Sequence, residues 1–172
     1  DAGPAYSQDG RWLAWLSMER AGFEADRRRV IVQDRETGEV RELGAALDRS
    51  PETLSWTPDS AALLFVAADR GRERMFRVGL GDGEVRPLLE DASYGSIDPS
   101  PDGSWVAAVR QSHVQPPQIV RAPLDGGAVV PLEGLNDELL ARIAMPTARE
   151  FWFEGSGGAR VHGFLLEPAD LR

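Results

Sequence analysis

Ser100-Pro101-Asp102-Gly103, running into Ser104-Trp105-Val106-Ala107-Ala108-Val109, decides the fold of this 172-residue chain, because the same phrase occurs twice upstream. Ser7-Gln8-Asp9-Gly10 leads into Arg11-Trp12-Leu13-Ala14-Trp15-Leu16, and Thr57-Pro58-Asp59-Ser60 into Ala61-Ala62-Leu63-Leu64-Phe65-Val66. Proline at the second turn position presets φ, aspartate bonds nearby backbone N–H groups, and glycine accepts positive φ at the end. Gln8 and Ser60 depart from the pattern, but neither removes the aspartate. Apolar runs of this length read as strands covered on both faces, since a half-exposed strand would alternate.

The turn aspartates Asp9, Asp59 and Asp102 are 50 and 43 residues apart, within the propeller range of about 40 to 50. A second landmark keeps the same register: Val40-Arg41-Glu42-Leu43, Val85-Arg86-Pro87-Leu88 and Val129-Val130-Pro131-Leu132, spaced by 45 and 44. Between the landmarks lie Val30 to Asp34, Met75 to Val78 and Gln118 to Arg121, followed by turns at Glu36-Thr37-Gly38, Gly81-Asp82-Gly83 and Asp125-Gly126-Gly127. Short segments at Ala5-Tyr6-Ser7, Leu54-Ser55-Trp56 and Ser96-Ile97-Asp98 complete four strands per unit. Pro87 and Pro131 place the last strand of each unit at an edge, because proline cannot donate to a ladder.

The fold class expected is therefore all-β: a partial β-propeller of about three four-stranded antiparallel blades, followed by a short helix and a β-hairpin. Blades are expected at about 4–46, 52–90 and 94–134, with a linker at 135–149. Trp12, Trp15, Trp56, Phe65 and Trp105 are expected to pack between blades. In the linker, Asn136 is expected to cap a helix with Asp137 and Glu138 in its first turn, a Leu139, Leu140 and Ile143 stripe, and Pro146 closing it. Glu150 to Phe153 and Val161 to Leu166 flank Gly155-Ser156-Gly157-Gly158 as a hairpin belonging to no blade.

Composition narrows the function. The net charge of −9 argues against a nucleic-acid partner, which needs a basic surface; the one basic cluster, Arg27-Arg28-Arg29, reads as a solvated loop beside Glu24 and Asp26. No apolar run approaches the roughly 20 residues of a membrane span, so the chain reads as a soluble, cytoplasmic segment without a membrane partner. The absence of cysteine removes disulfides and thiolate chemistry. His113 and His162, the two histidines, cannot build a three-His zinc site; no metal or cofactor is expected. Both histidines read as structural.

The order of the Ser-Pro-Asp-Gly strand, Pro117-Gln118-Ile119-Val120, Asp125-Gly126-Gly127, Leu135-Asn136 and a short linker into Phe151 to Pro168 resembles the prolyl oligopeptidase family, nearest its acylaminoacyl peptidase and dipeptidyl aminopeptidase branch. In that family a propeller precedes an α/β-hydrolase domain, and residues 150–172 would be the opening hairpin of that domain, the rest of which this chain lacks. Gly155 to Ala159 stands where the family has an Asp-Gly turn. The family's serine lies on Gly-x-Ser-x-Gly; Ser156 does not qualify, since Glu154 occupies the first glycine position. The resemblance implies a non-catalytic propeller segment of a serine peptidase, gating peptides on their way to the hydrolase.

Topology then places the loops Met18 to Arg29, Asp69 to Arg74 and Gln111 to Pro117 toward the catalytic domain, with Arg27, Arg28, Arg110 and His113 as the residues to touch peptide. The alternative is a free-standing propeller-like module that binds protein partners. A glycan-processing enzyme would need paired carboxylates on inner strands, where sequence places Asp98 alone. Three blades leave two open apolar faces, so self-association or strand exchange is expected.

Overall fold

The computed structural model describes residues 1–169, so residues 170–172 of the expected hairpin lie outside the described residues. Three four-stranded antiparallel sheets follow one another along the chain. The first holds β1 (Ala2–Tyr6), β2 (Trp12–Ser17), β3 (Arg29–Asp34) and β4 (Val40–Leu43). The second holds β5 (Pro51–Trp56), β6 (Ala62–Asp69), β7 (Arg72–Gly79) and β8 (Val85–Leu89). The third holds β9 (Ser93–Pro99), β10 (Trp105–Ser112), β11 (Gln115–Pro123) and β12 (Val130–Pro131). Each is a simple meander in chain order, as a propeller blade is. Pro87 sits on the outer edge opposite Phe76, and Pro131 opposite Val120.

Each phrase of the repeat folds the same way. Gly10, Ser60 and Gly103 donate their N–H to the carbonyls of Ser7, Thr57 and Ser100, closing turns whose fourth residue has φ of 71°, 58° and 69°. The aspartate accepts from the hydroxyl two residues earlier and the N–H two residues later: Ser7 and Arg11 for Asp9, Thr57 and Ala61 for Asp59, Ser100 and Ser104 for Asp102. Those donors hold all three carboxyls below their ordinary range, Asp102 at about 2. The hydroxyl is the hidden part: Ser7, Thr57 and Ser100 are buried, and each also accepts the N–H that opens the next strand, from Trp12, Ala62 and Trp105. Ser60 departs usefully from glycine. Its Oγ accepts the Asp9 N–H at 3.2 Å, tying the first blade to the second.

Two cores lie between the blades, and β6 feeds both. Leu63, Phe65 and Ala67 meet Ala14, Leu16, Val30, Val32 and Trp56 on one side. Leu64 and Val66 meet Met75, Tyr94, Val106, Ala108 and Val120 on the other. Trp56 crosses the first seam with its indole N–H bonded to the Ala5 carbonyl at 3.0 Å.

The expectation for the tryptophans holds for Trp56, Phe65 and Trp12, which packs against the first core. It fails for Trp15 and Trp105, which alternate with core residues and so point to the outer faces of the first and third blades, half-buried. A strand is sandwiched only where a blade stands on each side, and among the described residues these two have one neighbour. The linker helix, α1 (Asp137–Leu140), is a single turn with no buried residue, and Asn136 makes no side-chain cap bond. Its apolar stripe is left largely in the open: Leu139 is 58% and Ile143 47% exposed. No helix among the described residues is long and apolar enough to cross a membrane.

Thr57→Ala leaves the Ala62 N–H, whose residue is fully buried, without its acceptor, and is expected to cost about 1–3 kcal/mol. Urea unfolding checks this, with Thr57→Ser expected to retain most of the stability.

Candidate functional site

The last sheet is a hairpin of β13 (Thr147–Glu154) and β14 (Arg160–Glu167). Its register pairs Glu150 with Phe164 and Trp152 with His162 on one face, Phe151 with Gly163 and Phe153 with Val161 on the other. The first face meets the blades. Phe164 lies against Gly71, where an added Cβ would come within 2.5 Å of its ring, and against His113, ring centroids 4.3 Å apart. Arg72 pairs with Glu150 at 2.5 Å and sits 5.3 Å over the Phe164 ring. His162 stacks on Trp152 at 4.3 Å.

Local sequence explains this arrangement. Arg70 and Gly71 both take positive φ, 51° and 72°, making a two-residue hairpin turn of the kind that matches strand twist. That turn brings Arg72 and the bare Gly71 backbone to the end of the second blade, beside the His113 turn of the third. The opposite face of the hairpin is apolar and open, with Phe151, Phe153, Val161 and Leu165 all exposed.

The turns between second and third strands thus gather charge on the face where the hairpin sits. Asp69 takes Arg49 at 2.9 Å and Arg74 at 2.9 Å, and Arg74 also reaches Glu90 at 2.9 Å. Asp91 takes Arg110 at 2.8 Å and the Tyr94 hydroxyl. Burial pushes the Asp91 carboxyl up, but Tyr94 and Arg110 outweigh it and hold it below the usual range. Burial, then the hydrogen bond to the Asp91 carboxylate, raises the Tyr94 phenol. A cleft of ≈ 330 Å³ opens beside them, lined by Arg72, Asp91, Ser93, Gln111, His113 and Ala148.

The four residues predicted from sequence divide. Arg27 is spent internally, on Glu42 at 2.9 Å and the Leu47 carbonyl at 3.1 Å. Arg110 is spent on Asp91. His113 lines the cleft but is partly covered by Phe164. Arg28 is the freest, with Glu52 no closer than 3.9 Å. Sequence reasoning missed Arg72, Glu150 and Phe164; the Arg70-Gly71 pair and the alternation of β13 were the available signals. It also placed Asp98 alone on an inner strand. Because β5 starts at Pro51, Glu52 lies on one too.

Glu73, beside Glu52, has one carboxylate oxygen buried without a partner, and burial, then the Glu52 charge, raises its carboxyl. A carboxyl raised in the fold binds its proton more tightly there than unfolded, so its contribution falls as pH rises past the ordinary glutamate value near 4.3. Glu73→Gln should therefore be more stable than the parent at pH 7, with the advantage vanishing below about pH 4. Urea midpoints at the two pH values check this.

No protein-family model matches the chain. It is 26% identical over 171 residues to dipeptidyl-peptidase 5 of Porphyromonas gingivalis, covering 99% of this chain and 25% of that protein. It is 33% identical over 174 residues to dipeptidyl-peptidase 5 of Aspergillus fumigatus, covering 98% and 24%. The chain thus spans about a quarter of the length of these relatives. Among solved structures, the acylaminoacyl peptidase of Pyrococcus horikoshii superposes with a TM-score of 0.75 at 16% identity, over 93% of this chain and 24% of its own. The apo AtxE2 isopeptidase gives 0.78 at 17%, over 100% and 26%. TolB of Acinetobacter baumannii gives 0.60 at 18%, over 99% and 41%.

Proposed function

Being a β-propeller segment of the prolyl oligopeptidase type, this chain, we propose, forms one wall of a peptidase chamber and sorts peptides by size before they reach a hydrolase domain that continues from the hairpin. The observation that carries the reading is the seat of that hairpin. It lies on the turns between second and third strands of the second and third blades, the face on which the strand order leads us to expect the catalytic domain. Its outward face of Phe151, Phe153, Val161 and Leu165 is the kind of exposed apolar patch that marks a surface for further structure.

The chemistry of the wall is steric and electrostatic. The chain carries no nucleophile of the Gly-x-Ser-x-Gly type, so peptide hydrolysis belongs to the continuing domain. Its turn face is a belt of paired charges, and paired charges make a polar rim without a strong pull on any one substrate. Residues 150–172 would open the hydrolase, and the blades at about 4–46, 52–90 and 94–134 would be part of a closed ring whose other blades cover the Trp15 and Trp105 faces. Of the four predicted residues, Arg28 and His113 keep the accessibility that contact with a peptide requires.

Three measurements bear on this. The full gene product should exceed this chain by several hundred residues in intact mass and be labelled by a serine-directed fluorophosphonate. A product of this length, unlabelled, would overturn the peptidase reading and leave a binding module. In the full product, Arg28→Ala is expected to lower kcat/KM about threefold for longer peptides while sparing dipeptide substrates, the scale of one exposed charge contact; equal values at every length would remove Arg28 from the wall. The chain alone, with two uncovered blade faces, should run as an oligomer in light scattering, and Trp15→Glu with Trp105→Glu should return it toward monomer.

A further inference from the structure

The β13–β14 hairpin has strands of eight residues and no third strand beside it among the described residues. A lone two-stranded hairpin is marginal at best in water, so its order depends on what it touches. Those contacts converge on one side chain. Arg72 reaches Glu150 on β13 through its guanidinium and covers the ring of Phe164 on β14. Glu150 and Phe164 are cross-strand partners, so a single arginine grips both strands at one rung. Gly71, next to it, has no Cβ to keep the Phe164 ring away, and His113 packs against the same ring.

We propose that Arg72, Glu150 and Phe164 form a releasable clamp that positions the hairpin, and with it the domain continuing from it, on the turn face of the second blade. The grip is built to open. The Arg72 and Glu150 side chains keep 22% and 39% of their surface exposed, and ion pairs at such positions contribute little and weaken with salt. The Phe164 contact is made to two turns, not to a core, so breaking it leaves both blade seams intact. Arg72 holds the Glu150 carboxyl below its usual range, which keeps the pair charged at any pH near neutral. These are positioning residues, and none of them reaches a reacting atom. The consequence for peptide entry rests on the peptidase reading; the clamp itself does not.

Hydrogen exchange read by mass spectrometry on this chain tests the clamp. Arg72→Glu and Glu150→Arg, each alone, should speed exchange in β13 and β14 by about threefold to tenfold, and the double exchange of the two should return it to the parent rate. Phe164→Ala should speed it further. Unchanged exchange in the single variants, a double variant as fast as the singles, or equal acceleration in β6 would each overturn the clamp, the last because it reports loss of the whole fold. In the full gene product, the single variants should raise kcat/KM for long peptides relative to short ones, and the double variant should restore the ratio. A ratio that stays fixed while exchange responds would overturn the gating consequence and leave the clamp standing, and a product without peptidase activity would fail the functional reading without touching the exchange result.

Discussion

From Ala62 to Ala67, strand β6 has no side that faces water, and the rest of the structure follows from that. Burying a large apolar side chain stabilises by roughly 1.5–3 kcal/mol, but β6 gains it only if a blade stands on each side. Leu63, Phe65 and Ala67 are satisfied by the first blade, Leu64 and Val66 by the third. Neither core closes without the central blade, which contributes side chains to both. The outer blades show the converse: their second strands, β2 and β10, bury alternate residues and leave Trp15 and Trp105 half-covered.

The blades were legible because their chemistry is local. A hydroxyl, an aspartate and a residue in left-handed conformation lie within four positions, and the bonds that close each turn are made to neighbours in sequence. The edge prolines were legible for the same reason. Reading failed where the partner is far away in sequence. Asn136 and the leucines after it have the pattern of a capped helix, yet a helix of four residues with nothing to bury against stops after one turn. Short inner strands were underestimated because β5 and β9 extend through Pro51, Glu52 and Ser93, residues with no strand signature of their own.

The candidate site was legible as a surface and not as a set of residues. Strand order alone assigns the turns to one face. It does not say that Arg27 is spent on Glu42 or Arg110 on Asp91, because in a chain with 19 arginines and 28 acids nearly every arginine has several acids it could choose. Pairing is decided by which strand ends and connections meet in space, as when Arg49, from the connection into the second blade, meets Asp69 at the end of β6. The residues that hold the hairpin come from the second blade, the third blade and the last sheet, separated by as many as about ninety positions, and no window of sequence contains them together.

Ser60 carries a consequence of its own. At φ of 58° it occupies a backbone region that costs an L-residue roughly 1–2 kcal/mol, while the equivalent turns use glycine and are at ease. What the serine adds is an acceptor for the Asp9 N–H across the seam. Comfort within the blade and attachment between blades are therefore competing demands on one position, and here attachment prevails. In this repeat the departure at Ser60 marks where the first blade is fastened to the second.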